Sequence, residues 1–160
     1  MKMFSKDERS GFAYWWAHWC AFQMTALNLK AWHPRYLLHD IEKPWLKLWY
    51  RGDYKKVQQW HRKHNKHHVE YFLNHGKADF EAMAIDWECS RFTKAAGQLN
   101  ASETLEMECE KLYNKGVPRN VIASFHLIMM NTLIKLDLED WNNNKYPRYL
   151  VTRVGCSKPE

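Results

Sequence analysis

Apolar and polar positions follow helical spacing along most of the chain. Ser5-Lys6-Asp7-Glu8 reads as a capping box, with Ser5 as the cap and Glu8 three residues on. The helix it opens is expected to reach about Lys30, with Phe12, Trp15, Trp16, Trp19 and Phe22 spread around it. A helix that is apolar on most sides belongs near the centre of a fold. Trp32-His33-Pro34 breaks the chain, because the residue before a proline avoids helical geometry. Pro34 then suits the first turn of a second helix, which carries Tyr36, Leu37, Leu38, His39 and Asp40. Pro44 ends or kinks that helix, and Trp45, Leu46, Leu48 and Trp49 continue as a short helical or irregular piece to Gly52.

Asp53 can cap a third helix over about residues 54–74, stopped by Asn74-His75-Gly76. Asp79 can cap a fourth, running to about Ala96 and ended by Gly97. Phe80, Met83, Ala84 and Trp87 form one apolar side of it, and Ala82, Ile85, Cys89 and Phe92 another. Asp86 falls on the strip between them with Asp79, Ser90 and Thr93, which suits solvent and a polar pocket equally. A glutamate-rich, peripheral fifth helix is expected over residues 100–115, stopped by Gly116 and Pro118. A sixth, over 119–138, has the core stripe Val121, Ile122, Phe125, Ile128, Met129, Thr132, Leu133 and Leu136. From Asp140 the helical period is lost. The pattern predicts an all-α, single-domain helical bundle over residues 1–140 and a C-terminal tail over 141–160. There is no internal repeat, no useful strand alternation, no P-loop, no GxGxxG and no GxSxG.

Composition narrows this further. At 160 residues the chain suits one domain, and 46% hydrophobic residues with nine tryptophans supply one sizeable core. The best apolar run, residues 11–22, carries His18 and is too short for a membrane span. The N-terminus has no basic-then-apolar signal pattern, so a cytoplasmic protein without membrane association is expected. Cys20, Cys89, Cys109 and Cys156 are widely spaced without a CxxC pair, which argues against a zinc ribbon or a disulfide framework. They are expected to be reduced, with Cys20 and Cys89 packing as small hydrophobes. A net charge of +6 permits an anionic partner, a nucleotide before a nucleic acid, although scattered lysines explain it as well.

The chemistry concentrates in residues 36–86. Six of the nine histidines lie between His39 and His75. His39-Asp40 is followed by WHRKHNKHHVEYF, with His61, His64, His67 and His68, and then by Asp86 in EAMAIDW. His61, His64 and His68 share one helical face at i, i+3 and i+7, whereas His67 points elsewhere unless the helix breaks near Asn65. Neutral imidazole suits first-row transition metals, and a carboxylate can bridge two of them. Four histidines in eight residues are hard to explain by solubility, which lysine and glutamate supply. Taken alone, His18 and His126 read as structural histidines. The run Arg62-Lys63 to Lys66 faces either a phosphate or water.

A histidine on an early helix, an adjacent His-Asp and a distant Asp resemble the HD-domain metal-dependent phosphohydrolases; here they are His18, His39-Asp40 and Asp86. HDIEK is similar to the HDxGK of the two-metal branch, with Glu42 where glycine is usual, and His67-His68-Val69-Glu70 is similar to its HHE-type motif. The arrangement looks closest to a small uncharacterised phage and bacterial HD-like family, over about residues 14–91. The resemblance implies one or two divalent transition ions (Mn, Fe, Co, Ni or Zn). His18, His39, Asp40 and Asp86 would hold one, and Asp40 would bridge to a second held by His61, His64, His67 or His68. Lys43 and Arg62 would hold phosphate oxygens while an activated water attacks phosphorus. The implied activity is hydrolysis of a nucleotide or similar small phosphoester. A di-iron oxygenase fits the same residue types, and so does a non-catalytic phage-type binding protein.

Overall fold

The computed structural model describes residues 4–5, 7–94 and 99–138. Among them it is all-α: α1 Phe12–Asn28, α2 Lys43–Trp49, α3 Tyr54–His64, α4 Val69–His75, α5 Phe80–Thr93, α6 Ala101–Asn114 and α7 Arg119–Lys135, with 3-10 turns at Asp7–Ser10 and Pro34–Leu38. One isolated β-bridge joins Phe4 to Lys94. No helix among the described residues is long and apolar enough to cross a membrane. The expected tail and the expected helix end at Ala96 and Gly97 lie outside the described residues.

The chain divides into two compact units, Met1–Asn100 and Ala101–Glu160. In the first, α1 packs on α5, α2 on α3 and α3 on α4. Its core includes Phe22, Val57, Met83 and Ile85, all at most 1% exposed. In the second, α6 packs on α7, with Leu105, Cys109, Ile122, Phe125, Met129 and Leu133 buried. His126 has Nε2 3.2 Å from Glu106 Oε1, a structural contact between the two helices.

Four details of the first unit differ from expectation, and the first three concern α1 and α3. The capping-box contact exists, since Ser5 N–H donates to Glu8 Oε2 at 2.9 Å, but it closes a short 3-10 turn and α1 begins only after Gly11. α1 is also two-sided: Tyr14, His18, Phe22 and Ala26 are buried, whereas Phe12, Trp16, Met24 and Leu27 are exposed. The expected helix over residues 54–74 is two helices, because α3 stops at His64 and Asn65 takes extended geometry (φ −93°, ψ 129°).

The segment after Pro34 matters most for the site. It is a 3-10 turn rather than an α-helix, so His39 and Asp40 lie in a tight bend and not on a helix. Side chains of α1 hold that bend by its carbonyls. Gln23 Nε2 donates to Tyr36 O (2.6 Å), Trp19 Nε1 to Leu37 O (3.2 Å) and Trp15 Nε1 to Asp40 O (2.8 Å). Several of the tryptophans that looked like core material are therefore tethers, donating through the indole N–H while the ring packs. Asp40 itself has φ +59°, a left-handed conformation that aspartate tolerates better than most residues. Uncommon backbone of this kind concentrates where a side chain must be aimed.

A buried histidine and carboxylate cluster as a candidate metal centre

Five segments converge on Asp40, which is 1% exposed. α1 supplies His18, the bend supplies His39 and Asp40, α3 supplies His61, the α3–α4 joint supplies His67 and His68, and α5 supplies Asp86. The break at Asn65 swings His67 and His68 inward beside His61. Asp79 fixes the start of α5: its carboxylate accepts from Ala82 N–H at 3.1 Å, and its own N–H donates to Lys66 O at 2.8 Å. Arg35 Nε lies 3.1 Å from Asp79 Oδ2, tying the bend to the same helix start.

The two oxygens of Asp40 face different histidines. Oδ2 lies 3.6 Å from His39 Nε2 and 4.0 Å from His18 Nε2, and it also receives the Lys43 ammonium. Oδ1 lies 3.1 Å from His61 Nε2 and 3.4 Å from His67 Nε2. Asp86 Oδ1 completes the first side, at 2.8 Å from His18 Nε2 and 3.5 Å from His39 Nε2. His68 Nε2 completes the second, at 2.7 Å from His61 Nε2. Ligand atoms able to hold a metal ion gather in overlapping groups: His18, His39 and Asp86; His39, Asp40 and His67; and His61, His67 and His68.

Three of these atoms are buried without a hydrogen bond of sound geometry: His39 Nε2, Asp40 Oδ1 and His67 Nε2. A buried polar atom left unpaired costs about 1–3 kcal/mol, and more when charged. Three such atoms on one focus fit the donor set of a cation better than an internal network. His61 makes the same point through its proton. Its Nδ1 sits 2.5 Å from Glu42 Oε1, where only an N–H is acceptable, and Asn65 Nδ2 donates to the same oxygen at 2.6 Å. When the ring is neutral, Nε2 therefore turns its lone pair toward Asp40 and His68. A carboxylate orienting the far nitrogen of an imidazole is the usual support of a metal-binding histidine.

The electrostatics agree. Burial drives His39 down to about 4, and burial together with His67 and His61 puts His68 well below its ordinary value, so both rings are neutral lone-pair donors at neutral pH. Burial pushes Asp40 up, but His39, Lys43 and His61 outweigh it and hold the acid well below the usual range. Burial also opposes ionisation of Asp86, and the hydrogen bond from His18 together with the nearby His39 imidazole prevails, holding the acid well below the usual range. For His61, burial and Lys43 lower the value, while Asp40 and Glu42 prevail and raise it, marking a position that favours positive charge.

His18, His39, Asp40, His61, His67, His68 and Asp86 are thus brought together, and Lys43 reaches Asp40. His64 and Arg62 are not brought to it. His64 is exposed, stacks on Trp60 and has Nδ1 2.8 Å from Trp60 O. Arg62 is exposed and lies 3.5 Å from Glu70. Both occupy the outer side of α3, because the helix buries His61 and three further residues carry His64 only to the edge of that face. Sequence reasoning missed Glu42 and Asn65 as supports of His61. Glu42 stood out only as an acid where glycine was expected, and Asn65 only as a helix break.

A cavity of about 500 Å³ opens against the cluster, with His18, Asp40 and Lys43 on its wall and Arg9, Lys47 and Arg51 around it. Lys43, Lys47 and Arg51 recur every four residues, a periodicity legible in the sequence but unused. No family model matches the chain, and no curated protein or solved structure matches it significantly.

Proposed function

We propose that this protein is a metal-dependent phosphohydrolase acting on a nucleotide or another small phosphoester. The observation that carries the reading is the set of unpartnered buried atoms, His39 Nε2, Asp40 Oδ1 and His67 Nε2, converging beside a cavity with a cationic wall. Divalent ions bound there supply an activated water and balance charge on the phosphoryl oxygens. His18, His39 and Asp86 would hold one ion and His61, His67 and His68 a second, with one oxygen of Asp40 for each. Glu42 and Asn65 keep the His61 ring in place. Lys43 pairs with Asp40 and lines the cavity, so its ammonium can also take a phosphoryl oxygen. Water oxygen bonds to phosphorus, the ester P–O bond breaks, and the leaving oxygen takes a proton.

The test is phosphate release by protein purified without a histidine tag and reloaded singly with Mn, Fe, Co, Ni or Zn. Nucleoside monophosphates and p-nitrophenyl phosphate serve as substrates. Release by at least one loaded form, abolished in Asp40→Asn, is expected. No release from any loaded form overturns the proposal, and oxygen consumption by the iron form in its place turns the reading toward a di-iron oxygenase.

A further inference from the structure

The ligand cluster accounts for one phosphoryl group and leaves most of the cavity's charge unused. Lys43 is balanced by Asp40. Arg9, Lys47 and Arg51 also line the cavity, and none of them forms an ion pair among the described residues. Arg9 Nε is buried without a hydrogen-bond partner, and the Lys47 ammonium donates only to the Ser10 carbonyl, at 2.8 Å. Asp40 is the only carboxylate on the cavity wall among the described residues. Three unbalanced cations around a concave wall, Lys47 and Arg51 on its exposed rim, favour an anionic ligand, and guanidinium groups match phosphate oxygens in pairs. The remaining wall is largely apolar and partly aromatic. Phe12 and Trp15 have ring centres 5.1 Å apart, and Tyr54 faces the same space. Trp15 is fixed by its bond to Asp40 O, and Tyr54 OH accepts from Gln58 Nε2 at 2.7 Å, so both rings are preset surfaces.

We propose that Arg9, Lys47 and Arg51 form a second anion site, separate from the metal ligands, which takes a further phosphoryl group of a ligand whose flat ring lies against Phe12, Trp15 and Tyr54. The chemical class is a nucleoside diphosphate, favoured over the corresponding monophosphate. A monophosphate seated on the ligand cluster leaves Arg9, Lys47 and Arg51 unneutralised, whereas a diphosphate carries a second anionic group for these cations of the same cavity. The cavity volume of about 500 Å³ lies within the range of small-ligand pockets. This placement of the first phosphoryl group rests on the phosphohydrolase reading, whereas the cation site itself does not.

The test is direct binding, by titration calorimetry, of phosphate, pyrophosphate, AMP and ADP. It is run on wild type, Arg9→Gln and Arg51→Gln, each with metal and after chelation, with metal content and circular dichroism recorded for every protein. Pyrophosphate should bind tighter than phosphate, and ADP at least about tenfold tighter than AMP, with metal and after chelation alike. Both variants should keep the wild-type metal content and fold and lose that preference. Equal affinity of wild type for ADP and AMP overturns the proposal, as does an unchanged preference in both folded variants. A diphosphate preference in protein that binds no metal and releases no phosphate supports the second site and removes the hydrolase reading. Phosphate release from a monophosphate by protein with no diphosphate preference does the reverse.

Discussion

Asp40 and its neighbours have separable roles that single substitutions can read. Asp40→Ala should remove most bound metal, because each of its oxygens faces a different histidine set, while His64→Ala, at an exposed ring, should leave metal content unchanged. Elemental analysis of the two proteins checks this, and equal retention counts against a bridging carboxylate. Glu42→Gln keeps the shape but weakens the hold on His61 Nδ1, so metal affinity should fall by about 10–100-fold with the fold intact. His39 predicts a pH dependence for metal-free protein. Its folded value, about 4, lies below the ordinary 6.5, so the unfolded chain binds the proton more readily. Stability from this residue is therefore present above about pH 6.5 and is lost as pH falls toward 4, by at most about 3 kcal/mol. His61, with its raised value, acts on the other side of pH 6.5: its contribution is present below that pH and is lost as pH rises through its folded value. Urea unfolding of wild type and His39→Asn at several pH values isolates the His39 part, and the variant should show the shallower acid loss.

At the scale of elements, α5 offers a controlled comparison. Asp79 and Asp86 lie two turns apart on the same polar strip, yet they do different work. Asp79 caps the helix and pairs with Arg35, whereas Asp86 meets His18 and His39. Asp79→Asn should keep metal content, since asparagine is also a good N-cap, and change stability by only a few tenths of a kcal/mol. Asp86→Asn should preserve helical circular dichroism, because the apolar sides of α5 are untouched, while metal affinity and any hydrolysis fall together. Like behaviour of the two variants, with metal content unchanged, would remove Asp86 from the site.

For the molecule as a whole, the site is a stability device when loaded. A cluster of unpaired buried donors is destabilising by itself, and a cation that binds only the folded state reverses this by mass action. At 100 times the dissociation constant the gain is about 2.7 kcal/mol. Thermal unfolding after chelation should therefore occur several degrees lower than with metal, and Asp40→Asn should show almost no difference between the two conditions. A wild-type midpoint indifferent to chelator and to each added transition ion would remove the metal centre.

Periodicity and capping residues determined the all-α class and the starts of α5 after Asp79 and of α7 at Arg119, and residue type alone marked His39-Asp40 as a candidate for chemistry. These depend on local properties: backbone preference, capping and the spacing of apolar residues. Tertiary structure alone decided which side chains meet. The wheel of α5 left Asp86 between solvent and pocket, and the packing of α1 and the bend against it placed it inward. The same wheel logic set His64 beside His61 and left His67 out. The break at Asn65, where Asn65 and His61 share Glu42, a residue 19 positions from His61 along the chain, brought His67 in, while His64 stayed at the outer edge of the α3 face. Arg9, Lys47 and Arg51 line one cavity only after the Asp7–Ser10 turn meets α2, where Lys47 donates to the Ser10 carbonyl. Convergence of this kind depends on contacts between residues far apart in sequence, for which a helical period carries no signal.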